Sequence, residues 1–395
     1  MRNKFLGSTL IIAGTTIGAG MLALPLASAG LGFTHSLILM IAMWMLMSYT
    51  ALLMLEVHQH APANATLNSL ARQFLGKKGQ WVASAATLFL LYALCAAYIA
   101  GGGGQFHHKL TAFAATESIP PSAGIILFTG LVATVVMLGT QKVDVINRGL
   151  FLLKVVLLGL SLALLLPLGE SQNLVSLPLQ EGLLIAAIPV MFTSFGFHGS
   201  IPSVVAYTGL NIHALRKVML IGSALPLIIY VLWQAASFGV LGASTLAENT
   251  NLGMFIQSIS VAVDSTRIAN AISLFADLAL ATSFLGVSLG LFDFIADMLK
   301  RPASVRGRFQ TGLVTFLPPM LVALFYPQGF ITALGFASIA LVILAVVLPV
   351  LMAQKVRRLG LNRDQYQVFG GKVALSIAMI GGLSVIASQL AHGIG

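Results

Sequence analysis

Residues 13–20 read Ala-Gly-Thr-Thr-Ile-Gly-Ala-Gly, and residues 21–25 continue with Met-Leu-Ala-Leu-Pro. This stretch lies inside the first apolar run of the chain, where a membrane helix would be most regular. Its three glycines, two threonines and nearby proline favour a break in that helix. Because lipid cannot satisfy free backbone N–H and C=O groups, broken backbone at membrane depth must be buried in protein or face a cavity. We therefore expect residues 13–20 to line a binding site.

The composition places that stretch in a membrane protein. The 395 residues are 58% hydrophobic and 8% charged, with a mean hydropathy of +0.96, which excludes an ordinary soluble domain. Apolar runs long enough to cross a bilayer recur along the whole chain and predict an all-α polytopic membrane protein. The N-terminus resembles a signal peptide, with a basic flank and small residues at 27–29, but its long apolar run and the many later spans favour a retained first helix.

Hydropathy and turn signals predict eleven transmembrane spans. They are residues 6–33, 36–57, 81–104, 122–140, 147–168, 183–207, 216–241, 267–298, 311–326, 330–352 and 371–392.

The basic residues orient these spans. With the N-terminus in the cytoplasm, 18 of the 21 lysines and arginines fall in cytoplasmic segments, as the positive-inside rule requires. They are Arg2, Lys4, Arg72, Lys77, Lys78, Lys142, Arg148, Arg216, Lys217, Lys300, Arg301, Arg306, Arg308, Lys355, Arg357, Arg358, Arg363 and Lys372. The odd number of spans puts the C-terminus outside. The net charge of +10 therefore reflects basic residues beside the membrane surface and does not indicate binding to nucleic acid.

The sixth span has the same helix-breaking composition as the first. Residues 189–202, Pro-Val-Met-Phe-Thr-Ser-Phe-Gly-Phe-His-Gly-Ser-Ile-Pro, again place glycine, hydroxyl residues and proline at mid-membrane. Interruptions at spans one and six predict two inverted five-helix repeats, 1–168 and 183–352, with an additional helix at 371–392. The alternative is that these glycines are close-packing positions between unbroken helices. The glycine tract 101–104 is interpreted as a helix end.

Two broken helices can bind the backbone end of an amino acid through the main chain alone. The free N–H groups that start a second half-helix favour a carboxylate, and the carbonyls that end a first half accept hydrogen bonds from an ammonium group. The candidate residues at the two breaks are Ala13, Gly14, Thr15, Thr16, Ile17, Gly18, Ala19 and Gly20, with Ser194, Phe195, Gly196, Phe197, His198 and Gly199.

Aromatic residues near these stretches suit an aromatic side chain on the ligand. Phe195 and Phe197 flank the sixth-span break, and Tyr92 and Tyr98 lie in span three. The alternative interpretation of each of them is ordinary packing inside the membrane.

His198 in the sixth-span break can titrate near neutral pH. The alternative interpretation is a hydrogen-bonded histidine in the core.

Four polar residues inside spans are candidates for ion coupling. Lys154 lies about seven residues into span five, where an ammonium that cannot reach water costs about 2.5 to 3.5 kcal/mol. It snorkels to the membrane surface, exchanges a proton, or replaces a bound sodium ion. Thr282 and Ser283 on span eight either coordinate a cation or bond back to their own helix. Asp277 is either a functional carboxylate or the partner of a polar group inside the bundle.

The sequence lacks the familiar signatures of an enzyme. It has no Gly-x-Ser-x-Gly, no Walker phosphate loop, no His-Glu-x-x-His and no cysteine pair, so neither hydrolysis nor ATP-driven pumping is supported. No metal or cofactor is expected.

Three segments resemble the bacterial aromatic amino acid permeases, a family of the amino acid/polyamine/organocation superfamily. They are STLIIAGTTIGAGMLALP at 8–25, IPVMFTSFGFHGSIPS at 188–203 and LFADLALATSFLGVSLGLFDFIADM at 274–298. The likeness covers essentially the whole chain. It implies a leucine-transporter-type fold with an added eleventh helix, in the bacterial inner membrane.

The resemblance also implies proton-driven import of an aromatic amino acid, with L-tyrosine favoured over tryptophan. The stretches 13–20 and 194–199 match the substrate-binding breaks of the family. Thr282 and Ser283 resemble the pair that binds a second sodium ion in sodium-coupled relatives, and Lys154 resembles the lysine found near that site in proton-coupled ones. Sodium coupling stays open, as does a channel or membrane receptor that retains a transporter fold.

Overall fold

The protein is helical wherever the structure describes it. The computed structural model describes residues 2–115, 118–175, 183–300, 304–361 and 365–393, and these ranges contain no strand. Helices dominate because a spanning segment can satisfy its backbone only internally. Two of the basic residues that predict the orientation, Arg301 and Arg363, lie outside the described ranges.

The N-terminal part of the chain forms seven helices. They are α1 (Arg2–Thr16), α2 (Gly20–Ala27), α3 (Gly32–His58), α4 (Leu67–Ala114), α5 (Pro121–Met137), α6 (Thr140–Leu165) and the short α7 (Ser171–Val175).

The remainder forms nine. They are α8 (Leu183–Ser194), α9 (Ile201–Thr208), α10 (Ile212–Glu248), α11 (Leu252–Val263), α12 (Thr266–Met298), α13 (Val305–Phe325), α14 (Phe330–Val342), α15 (Leu348–Arg358) and α16 (Gly371–Gly393), with a π-helical turn at Ile343–Val347 joining α14 to α15.

The span count is close to the eleven predicted. In the described residues, nine segments are long and apolar enough to cross a membrane, and the bent pair α1–α2 makes ten. The predicted fourth span corresponds to α5, which has 17 residues, at the lower limit of a spanning length.

Both predicted interruptions are present. Helix α1 ends at Thr16, α2 begins at Gly20, and the two are bent by 49°. In the sixth span, α8 ends at Ser194 and a 3₁₀ turn at His198–Ser200 precedes α9. Residues 13–16 themselves are helical, so the break is narrower than the predicted stretch.

The interpretation of the glycine tract 101–104 as a helix end is wrong. Helix α4 continues through it to Ala114, and the glycines instead allow α5 to approach closely. A Cβ added at Gly102 would lie 2.3 Å from the Phe128 ring, and one at Gly103 would lie 2.7 Å from Ile125 Cα. The tract is therefore a packing surface.

The interrupted helices pack against several other helices of the bundle. Helix α1 packs on α9 and α10, and α2 packs on α8 and α10. The contact between α1 and α10 is tight, because a Cβ on Gly222 would lie 2.8 Å from Ile12 Cβ. Helix α10 therefore contacts both halves of the first interrupted span.

A buried ion pair joins the C-terminal ends of α3 and α15. Arg357 donates from Nε to Glu56 Oε1 at 2.6 Å and from Nη2 to Oε2 at 2.7 Å, and Val368 N donates to Oε2 at 2.8 Å. Glu56 is fully buried. This network fixes the segment before α16 against the bundle.

Replacing Glu56 should therefore destabilise the fold. Glu56→Gln leaves the Arg357 guanidinium without its bidentate partner, and we expect the free energy of unfolding in mixed detergent micelles to fall by about 3 kcal/mol. The matched control is Asp144→Asn, which removes the exposed pair to Arg148 and should cost about 0.5 kcal/mol or less. Equal effects of the two substitutions would contradict this account.

Candidate functional site

Lys154 on α6 reaches the first break. Its Nζ donates to Ile17 O at 3.0 Å and to Thr282 Oγ1 at 3.2 Å, and it lies 4.6 Å from the centre of the Phe151 ring. The side chain is only 2% exposed, so its ammonium is directed into the bundle rather than toward the membrane surface. In the described part of the chain no carboxylate lies within ion-pair distance of it. Its charge is held by a carbonyl and a hydroxyl.

Thr282 and Ser283 face the same break. Ser283 Oγ accepts a hydrogen bond from Ala19 N at 2.9 Å. Thr282 Oγ1 lies 2.7 Å from Leu278 O, to which it donates, and it also accepts from Lys154. The Thr282 hydroxyl therefore bonds back to its own helix and contacts the cation as well.

Tyr230 on α10, which the sequence analysis did not select, connects the two breaks. Its hydroxyl lies 2.6 Å from Thr16 O and 2.9 Å from Ser194 O, the carbonyls of the last residues of α1 and α8. Its ring is 5.2 Å from that of Phe195. The only local signal is a polar hydroxyl within an apolar helix, which generally needs a partner when buried.

The two breaks are in direct contact. A Cβ on Gly20 would lie 3.1 Å from Ser194 Oγ and 3.5 Å from Ser194 Cα. A Cβ on Gly18 would lie 2.9 Å from Ser283 Oγ, and one on Gly14 would lie 3.3 Å from the Phe151 ring. These glycines are required for close approach.

Other predicted residues near the breaks have structural partners. Thr15 and Thr16 donate their hydroxyls to Ile11 O and Ile12 O, four residues back on α1. His198 Nε2 lies 2.9 Å from Thr50 Oγ1 in the core.

The aromatic candidates divide between the breaks and another part of the bundle. Phe195 and Phe197 are buried at the second break, and Tyr98 is buried on α4. Gly196 packs on Leu341, whereas nothing lies within 4 Å of a Cβ on Gly199.

Two of the predicted residues lie away from the breaks. Tyr92 donates its hydroxyl to Val314 O on α13, at 2.7 Å. Asp277, in the N-terminal half of α12, forms an ion pair with Lys109 on α4. Sequence reasoning did not find Lys109 because its partner is 168 positions away in the chain.

A large cavity lies elsewhere in the described residues. It has a volume of about 1460 Å³ and is lined mainly by α4, α13 and α14, including Tyr92, Pro319 and Phe330. Neither break is part of its lining. The described residues contain no group of three or more histidine, cysteine, aspartate or glutamate side chains that could hold a metal ion.

The breaks nevertheless offer groups that suit a zwitterion. The first internal bonds of α2 are donated by Met21 N to Gly18 O and by Leu22 N to Ala19 O, so the amides before residue 21 lie at the positive end of that helix. The carbonyls of Thr16 and Ser194 lie at the negative ends of α1 and α8. Backbone groups that favour an anion and backbone groups that favour a cation therefore lie side by side.

The chain is similar to known permeases over nearly its whole length. Residues 1–389 match the model of the tryptophan/tyrosine permease family. The chain is 44% identical to the tyrosine-specific transport system 1 of Haemophilus influenzae, over 97% of this chain and 96% of that protein. It is 40% identical to tyrosine-specific transport system 2 of that organism, over 98% and 96%. A tryptophan-specific transport protein of Haemophilus influenzae is 36% identical, over 99% and 97%.

The close approach at the glycines yields a prediction. Gly18→Val and Gly20→Val should reduce uptake of the labelled substrate by about tenfold or more, since overpacking costs about 1 to 3 kcal/mol. Thr15→Val and Thr16→Val remove only hydroxyls that bond back to α1, so they should retain most of the uptake.

The control for these substitutions is Gly159→Val, a helical glycine of α6 with nothing within 4 Å of its Cβ position. It should transport normally at equal membrane abundance. A greater loss from the threonine variants than from the glycine variants would overturn the assignment of binding to the main chain.

Proposed function

Because the chain belongs to the tryptophan/tyrosine permease family, we propose that it is a proton-coupled symporter that imports L-tyrosine across the bacterial inner membrane by alternating access. The observation that carries the proposal is the meeting of two interrupted helices at Gly20 and Ser194, with Lys154 donating to Ile17 O beside them. The family consists of transporters, so the chain is a permease and not an enzyme.

We assign the substrate backbone to the breaks. The carboxylate binds at the N-terminal end of α2, near Gly18 and Gly20, and the ammonium group binds to Thr16 O and Ser194 O. We assign the substrate ring to Phe195 and Phe197, which are buried at the second break, and to Tyr98, which is buried on α4. Tyrosine is preferred because two relatives that are 44% and 40% identical are named as tyrosine-specific.

We also propose the full leucine-transporter-type architecture. It comprises eleven spans, with α5 counted as the fourth, two inverted repeats at 1–168 and 183–352, and α16 as the added helix. The positions of the two interruptions, in the first and sixth spans, support this arrangement.

The orientation is proposed with the N-terminus in the cytoplasm and the C-terminus in the periplasm. Contacts among the predicted cytoplasmic segments support it: Lys4 lies 5.6 Å from the Tyr207 ring centre, and Arg216 lies 4.6 Å from that of Tyr366. On the opposite side, Lys109 pairs with Asp277. The strong excess of basic residues on one side of the bundle assigns that side to the cytoplasm.

Coupling is assigned to Lys154. Its ammonium connects the first break to α12 through Ile17 O and Thr282 Oγ1, two oxygens that a bound cation would otherwise contact. Loss of the proton removes the charge that holds these elements together. Protonation therefore acts as a ligand that shifts the populations of the inward-facing and outward-facing states.

Uptake into proteoliposomes tests the function. An imposed inward proton gradient without sodium should drive accumulation of labelled L-tyrosine above its external concentration, and a protonophore should abolish it. Accumulation only with a sodium gradient would refute proton coupling, and downhill flux without accumulation would indicate a channel. Competition by unlabelled tryptophan and phenylalanine measures the choice among aromatic substrates.

Lys154→Ala gives the corresponding prediction for the coupling residue. It should abolish gradient-driven uptake in proteoliposomes while some exchange of internal for external tyrosine persists, because the binding groups of the main chain remain. The matched control is Lys142→Ala, an exposed lysine of the same helix, which should accumulate tyrosine as the wild type does. Unchanged accumulation in Lys154→Ala would reduce Lys154 to a structural residue.

A further inference from the structure

Tyr230 occupies the place where the proposed function requires an ammonium group. Its hydroxyl lies 2.6 Å from Thr16 O and 2.9 Å from Ser194 O, and the whole side chain is buried. The same two carbonyls are the ones assigned above to the substrate, so this inference rests on the proposed function.

The hydroxyl cannot fully satisfy both carbonyls. A phenol has a single O–H donor, whereas the two helix ends present two acceptors. Each acceptor lies at the negative end of a helix dipole, where a positive charge is favoured. An ammonium group has three N–H donors and a charge, and it therefore matches this pair of carbonyls better than the hydroxyl does.

We propose that the Tyr230 hydroxyl stands in for the substrate ammonium in the empty protein and is displaced when an α-amino acid binds. Tyr230 is then a positioning residue. It keeps α1 and α8 together when no substrate is bound. A ligand must form stronger hydrogen bonds to the two carbonyls than the hydroxyl does, and this requirement sets an energetic threshold for binding. Only a ligand that carries an ammonium group exceeds it.

The consequence is selectivity for α-amino acids over their deaminated acids. A ligand without the ammonium group cannot replace the hydroxyl, and it binds with Tyr230 still in place. An amino acid exchanges one neutral hydrogen bond for charge-assisted ones. The specificity for the backbone end of the substrate thus comes from a side chain of α10 that competes for the site.

Binding measurements on purified protein in detergent test this role. The ligands are L-tyrosine and 3-(4-hydroxyphenyl)propanoate, which keeps the ring and the carboxylate but lacks the ammonium group. In Tyr230→Phe we expect the Kd for L-tyrosine to fall roughly fivefold, the equivalent of one neutral hydrogen bond, since the competitor is gone. The Kd for the deaminated acid should change by less than about twofold, because that ligand displaces nothing.

The opposite results are distinguishable. Weaker binding of L-tyrosine by Tyr230→Phe, or equal changes for the two ligands, would show that Tyr230 is only a structural tie and would overturn the inference. Failure of the wild type to bind L-tyrosine would instead overturn the proposed function on which it rests. Tyr326→Phe, an exposed tyrosine just beyond α13, serves as the control and should bind both ligands like the wild type.

A second measurement does not depend on the stability of the phenylalanine variant. With 3-fluorotyrosine incorporated at position 230, the ¹⁹F resonance should shift when L-tyrosine is added and should stay in place with the deaminated acid. A shift of equal size with both ligands, or with neither, would contradict displacement of the hydroxyl by the ammonium group.

Discussion

The structure depends on one constraint, which is that every backbone polar group inside a membrane needs a partner. The break between α1 and α2 frees several such groups, and three of them have partners in different parts of the bundle. Tyr230 contacts Thr16 O, Lys154 donates to Ile17 O, and Ser283 accepts from Ala19 N. The helices that supply these side chains, α10, α6 and α12, are held around the break for that reason.

These partners differ in what they allow the protein to do. The bond from Ala19 N to Ser283 is neutral and local, whereas the bond from Lys154 carries a charge that a proton transfer would remove. The Tyr230 hydroxyl reaches both breaks and offers one donor to two acceptors. These differences support the proposed function, in which the centre of the bundle responds to a proton and to an ammonium-bearing ligand.

Charged groups from distant parts of the chain also join helices of the bundle. Glu56 and Arg357 join the C-terminal ends of α3 and α15, and Lys109 and Asp277 join α4 to α12. Neither pair includes a residue of the breaks. These ion pairs and the proposed coupling and binding groups are therefore separate residues.

The sequence alone determined the membrane class, nearly all of the spans and the positions of both interruptions, because hydropathy and the Gly, Thr and Pro content of residues 13–20 and 189–202 act locally. It also selected Lys154 as a candidate functional residue, because a lysine within an apolar run is unusual. The roles of Tyr230 and Lys109, and the helical path of residues 101–104, were decided only by the tertiary structure. Each depends on a partner outside its own helix, as far away as 214 positions for Tyr230 and Thr16, and local patterns do not specify which distant helices pack together.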